Sequence, residues 1–210
     1  MKGYETLLTP LAHPLKAPTA ALTQAIETEW EQDPSPHYQN KLFTSLAATA
    51  IDRVGKAPEA YVKGITQAVG TDVLLFWASL PGPLVKLQQE KWGPLLEAVN
   101  AGLGLSLRPT MTLEISPLSL EEEENIQRFL RSFTDFQLTG FFHLSTLLTS
   151  FCLPYLIQER KLSPENAWDL AHLHEHEQSR IWGEQEERMT QEQQQRQEVL
   201  QTVEFLKLVE

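Results

Sequence analysis

From Phe136 to Gln158 the chain carries no Asp, Glu, Lys or Arg. A run of that length is either a bilayer span or the centre of a buried core. Gln137, Thr139, His143, Ser145, Thr146, Thr149 and Ser150 place polar groups along it, and a lipid-facing helix tolerates few of these near its middle. The run therefore reads as a buried helix that breaks at Pro154, around which the rest of the chain must pack. Within it, His143 reads as a hydrogen-bonded core histidine. Cys152, in Phe151-Cys152-Leu153, reads as an inert core thiol.

The elements that could surround this helix announce themselves by spacing and caps. Residues 1–17 read as extended, because Tyr4–Thr9 favours strand and Pro10, Pro14 and Pro18 forbid helix. Pro18-Thr19 opens a helix with Leu22, Ala25, Ile26 and Trp30 on one face. A loop over 31–37 precedes the cleanest amphipathic helix, with Phe43, Leu46, Ala47, Ala50, Ile51 and Val54 inward and Gly55 as its expected cap. Pro58 starts a helix with Tyr61, Ile65, Ala68 and Val69 inward, closed by Gly70. Val73–Trp77 is an apolar run that fits a strand or a helix end. Pro83 opens a helix to Trp92, Pro94 restarts it, and Gly102–Gly104 ends it.

Met111–Ile115 alternates like a strand. Ser119 with Glu122 is a capping box that opens an all-helical remainder, and Ser163-Pro164 starts another helix, which could run beyond Trp182. Gln191–Val199 lacks an apolar face and reads as solvated. The expectation is an α+β chain: a small β-containing N-terminal domain over 1–56, followed by a helical domain over 57–210.

The formal charge of -11 argues against a nucleic-acid partner, which needs clustered Lys and Arg. It is uneven: residues 1–117 carry 9 basic and 11 acidic side chains, residues 118–210 carry 8 and 17, so the second part holds -9 of the total. A charge-steered partner should meet that part with a neutral or basic surface. A single cysteine allows no intrachain disulfide and fits a reducing compartment. Met1-Lys2-Gly3-Tyr4-Glu5 opens neither a signal core nor an Arg-rich transit segment, so the expected location is a bacterial cytoplasm, or the mitochondrial matrix if the true start lies upstream.

Catalytic patterns are sparse. Gly102-Leu103-Gly104 lacks the third glycine of a phosphate loop, and no Gly-x-Ser-x-Gly elbow occurs. Glu121–Glu124 reads as first-turn acids favoured by the helix dipole. The remaining candidate is His172-Leu173-His174-Glu175-His176-Glu177. On a helix His172 and His176 share a face and, with Glu175, could hold a metal, which makes a metal-dependent enzyme the alternative reading. Trp182-Gly183 further along places a glycine, costing about 1 kcal/mol inside a helix, beside a large ring.

Several segments in order resemble one family, the assembly chaperones that attend the alpha subunit of the ATP synthase F(1) sector. They are Thr9-Pro10, Pro14-Leu15 and Pro18-Thr19; Leu22, Ala25-Ile26 and Glu29-Trp30; Ala50-Ile51-Asp52-Arg53-Val54; and Gly70-Thr71-Asp72-Val73-Leu74. Pro83-Leu84-Val85 with Gln88, Trp92 and Pro94-Leu95-Leu96 follows, and then Glu175, Gln178, Trp182-Gly183 and Glu187. The resemblance implies a soluble, non-enzymatic, bacterial-type chaperone without a cofactor, acting as a monomer. It implies binding of the free alpha subunit until beta replaces the chaperone, with Glu175, Gln178, Trp182 and Glu187 as partner contacts. Two departures stand: the family has more strand-forming sequence before the segment beginning at Gly3, and Gln185 replaces an acid, so Glu184 or Glu186 would have to serve.

Overall fold

The structure, a computed structural model, describes residues 7–35, 37–38, 40–78, 82–112, 115, 117–175, 177 and 186–210, the side chains of 186–189 excepted. The described chain runs through α1 (Ala20–Gln32), α2 (Leu42–Asp52), α3 (Pro58–Ala68), α4 (Pro83–Lys91) and α5 (Gly93–Leu103). It continues through α6 (Leu120–Leu130), α7 (Asp135–Leu147), α8 (Cys152–Gln158), α9 (Pro164–Ala171) and α10 (Glu186–Leu208), with 3₁₀ turns at Val54–Lys56, Val69–Thr71 and Val73–Leu75.

The charge-free run forms the hub. Helix α7 packs against α2, α3, α8 and α10, burying Leu138, Phe141, Leu144 and Leu148 along one stripe. Phe141 meets Phe129 at 5.7 Å and Phe151 at 5.7 Å between ring centroids, and Phe129 meets Tyr155 edge-on at 5.1 Å. Among the described residues no helix is long and apolar enough to cross a membrane. The break in the run falls at Thr149, which takes φ 47°, and not at Pro154. Pro154 instead occupies the first turn of α8, where its missing N–H would have had no helical partner.

The expected α+β organisation does not form: the described chain is all-helical, and its only β pairings are the isolated bridges Leu8–Pro14 and Phe76–Thr110. The β-containing domain expected over 1–56 is, from residue 20, two helices and their connection. The extended run over 7–17 joins no sheet, and of the two readings open for Val73–Trp77 a helical turn forms at Val73–Leu75. In 7–17 the turn at Ala12 takes φ 62°, and Leu11 N donates to Asp52 rather than to a neighbouring strand. Val73–Leu75 winds into a 3₁₀ turn because the Asp72 carboxylate caps Leu74 N at 3.0 Å. In the third segment Met111 and Ile115 are both exposed; Leu113, Glu114 and Ser116 lie outside the described residues.

Caps behave as the sequence predicts at three helices. Ser119 and Glu122 form both halves of the capping box of α6, Ser163 caps α9, and Gly104 ends α5 in the left-handed region at φ 65°. Gly55 does not cap α2; it sits inside the 3₁₀ turn that follows.

Residues 191–198 of α10 are exposed or half-buried, as expected of a solvated segment. From Val199 on, the helix and the residue after it bury Val199, Thr202, Val203, Phe205, Leu206 and Val209. Phe205 and Val209 join Leu22, Ile26, Leu46 and Ala47 in a second core between α10, α1 and α2. Gly140 of α7 lets α10 approach: a Cβ there would lie 2.7 Å from Leu206 Cδ2.

Candidate functional site

Gln88 and Trp92, one turn apart at the end of α4, are both fully buried. Gln88 Oε1 accepts from Ala78 N at 2.9 Å, which orients its amide so that Nε2 donates to His174 Nε2 and, at 3.4 Å, to Phe76 O. Trp92 Nε1 donates to Leu170 O at 3.0 Å, and its ring stacks on the His174 imidazole with centroids 5.4 Å apart. Two polar groups of α4 therefore hold the end of α9 and the turn after it, where the acidic segment beginning at Glu175 departs.

His172 faces elsewhere. Its ring stacks on Trp168 at 3.7 Å, and its Nδ1 lies 3.0 Å from Trp168 O. The two histidines are thus held by different tryptophans. Among the described residues no group of three His, Cys, Asp or Glu side chains could hold a metal ion, so the metal-dependent alternative has no site there. His176 lies outside the described residues.

Of the four residues expected to touch a partner, Glu175 is half-buried in the helical turn next to His174. Gln178 and Trp182 lie outside the described residues, and Glu187 is described by its backbone alone, in the first turn of α10.

The other segments of the resemblance prove to be clamps that brace this framework. Asp52, at the end of α2, accepts from Thr9 Oγ1 at 2.7 Å and Leu11 N at 3.1 Å, and pairs with His13 Nδ1 at 2.7 Å. Burial raises its pKa, but these hydrogen bonds outweigh burial and hold the carboxyl below its ordinary value. Glu29 serves as a remote cap for α2, accepting from Phe43 N at 2.7 Å and from Thr44 N and Oγ1 at 2.8 Å. Its neighbour Trp30 donates to Thr44 Oγ1 and lies under the ammonium of Lys41 at 4.6 Å.

Lys41 is fully buried, a position its sequence context did not signal. Its Nζ donates to Ser35 O and His37 O and pairs with Asp33, which hydrogen bonds from Ser35 hold down at about 2.

Asp72 is the deepest clamp. Its carboxylate accepts from Leu74 N, Ser150 Oγ, Phe151 N and Cys152 N, all within 3.0 Å, and so ties the Val73–Leu75 turn to the start of α8. Burial pushes its carboxyl up despite these donors, and burial together with the Asp72 charge pushes the Cys152 thiol well up, leaving it protonated and unreactive. His143, expected as a core residue, is only half-buried and pairs with Glu198 of α10 at 2.8 Å.

Comparison with known proteins agrees with the ordered motifs. Residues 4–100 match the family model of the ATP12 chaperone protein. Across 97% of its length the chain superposes on Atp12 from Paracoccus denitrificans, with a TM-score of 0.87 and 28% identity, covering 88% of that chain. A mutant of the P. denitrificans Atp12p gives 0.88 at 28% identity with the same coverage. A chaperone candidate from Agrobacterium tumefaciens gives 0.88 at 26% identity, over 97% of this chain and 77% of the other. The chain is thus similar to the ATP12 chaperone proteins in sequence over residues 4–100 and to Atp12 from Paracoccus denitrificans in fold over 97% of its length.

Proposed function

We propose that the chain is an assembly chaperone for the ATP synthase F(1) sector, which binds the free alpha subunit and shields it from aggregation until beta takes its place. The observation that carries the reading is the match to the ATP12 chaperone protein family. An unpaired subunit of a ring exposes apolar surface that its neighbour would otherwise cover, and such surface aggregates. A holdase needs a complementary surface rather than a reaction centre. Charge supports the same reading: the net -9 of residues 118–210 favours encounter with a neutral or basic client.

In this reading Glu175, Gln178, Trp182 and Glu187 contact the client, and the monomer acts in a bacterial cytoplasm. The clamp of Gln88 and Trp92 on His174 gives Glu175 a fixed base from which to act. The test is co-expression with tagged alpha subunit and pull-down with and without beta. Retention with alpha alone and loss on adding beta is the expected result. No retention on soluble alpha overturns the reading.

A further inference from the structure

Two open clefts flank one exposed aromatic ring on the hub helix. Phe142 of α7 is 37% exposed, and Tyr61 of α3 packs edge-on against it at 5.1 Å. On one side a cleft of about 270 Å³ runs between α3 and α7, past Gly64, Ala68 and Ser145. On the other a cleft of about 410 Å³ opens between α2, α7 and α10, bounded by Thr49 of α2 and by Gln194 and Gln201 of α10. Phe142 lines both, so the two clefts make a furrow on either side of its ring.

No Lys or Arg lines either cleft; the titratable groups there are His143 and Glu198, which pair with each other. The furrow is thus uncharged at its α3 end, and its α10 wall carries one carboxylate, Glu198, held by His143. Helical spacing extends that wall. Gln194, Glu198 and Gln201 follow one another at four and three residues, so they share a face of α10.

We infer that the furrow on both sides of Phe142 seats a segment of the client polypeptide, apolar along α3 and α7 and carrying a Lys or Arg where it meets α10. The inference rests on the chaperone reading above and names the surface it would use. A fixed, half-exposed aromatic at the centre of a mostly uncharged groove is the kind of anchor that dominates binding energy. Glu198 on the α10 wall sets the direction of the segment by charge.

Binding of the full chain to recombinant alpha subunit held in solution tests this, comparing wild type with Phe142→Asp, Gln194→Lys and, as a control, Leu120→Asp. Leu120 is 80% exposed and lines neither cleft. Phe142→Asp and Gln194→Lys should each weaken binding about tenfold or more, while Leu120→Asp stays within about twofold. Gln194 is exposed, so its substitution reports on binding even if Phe142→Asp disturbs the fold, which a melting curve would show. Unchanged affinity in both variants overturns the furrow but leaves the chaperone reading standing. Loss with Phe142→Asp alone overturns the cationic end of the segment. A wild-type dimer that Phe142→Asp dissolves overturns the client in favour of a second copy. Failure of the wild type to bind soluble alpha removes the chaperone reading, and the furrow assignment with it.

Discussion

Trp92 and His174 stack with centroids 5.4 Å apart, and Trp92 reaches past the imidazole to donate to Leu170 O. The pair couples the start of α5 to the end of α9. Trp92→Phe keeps a ring but leaves the partly buried Leu170 carbonyl without that donor. Urea unfolding should show a loss of about 1–3 kcal/mol with an unchanged slope. A change below about 0.5 kcal/mol would mean that the indole hydrogen bond contributes nothing and that the stack alone holds the turn.

Asp72 offers a second test of a clamp. In Asp72→Asn the amide nitrogen must replace one of two acceptor oxygens, each of which receives at least two donors. One side of the network then faces N–H against N–H. The expected cost is about 1.5–3 kcal/mol in denaturant unfolding. Ser150→Ala, which removes one donor and leaves the backbone donors in place, should cost less.

The Asp52 clamp carries a pH signature. Its carboxyl is depressed in the fold, so its contribution to stability is present above the ordinary value of 3.8 and is lost as pH falls through the lower folded value. The stability difference between wild type and Asp52→Asn should therefore be level at neutral pH and shrink below about pH 4. A difference that grew on acidification would show that Asp52 is not held as a carboxylate by Thr9, Leu11 and His13.

Much of this arrangement was readable from local chemistry. The caps at Ser119, Ser163 and Gly104 and the buried face of α2 follow from signals within one or two turns. What was not readable depends on partners far along the chain. The β-favouring runs at 7–9 and 73–77 make only isolated bridges, to Pro14 and Thr110, while Asp52 holds the turn at Leu11 and Asp72 caps the turn at Leu74. The solvated stretch 191–198 was readable from its lack of an apolar face, whereas the place of Phe205 and Val209 in the second core depends on α1 and α2, far along the chain. At the site, Gln88 and Trp92 stood out as a motif, but their grip on His174 became visible only once α4 and α9 were side by side.

Helix α10 depends on one missing side chain. At Gly140 a Cβ would fall 2.7 Å from Leu206 Cδ2 and 3.3 Å from the Phe205 ring. Gly140→Ala should favour the isolated α7 helix by about 1 kcal/mol, yet overpacking of this kind costs about 1–3 kcal/mol. The net effect expected is destabilisation, with faster hydrogen exchange in the second half of α10. A stabilised protein would mean that α10 shifts outward freely and that the second core is loosely packed.

The acidic helix start supplies the test closest to function. Glu187 occupies the first turn of α10, where the helix dipole favours an anion. Glu187→Lys reverses that charge, so a small loss of stability, about 0.3–1 kcal/mol, is expected from the dipole alone. If the residue meets a basic group on the alpha subunit, affinity should fall by much more than this, with most of the change in dissociation rate. Glu187→Gln should give an intermediate affinity, and raised salt should narrow the gap between wild type and the lysine variant. Equal affinities across the series would take Glu187 out of the interface. A large drop in melting temperature for the lysine variant would make it a structural residue instead.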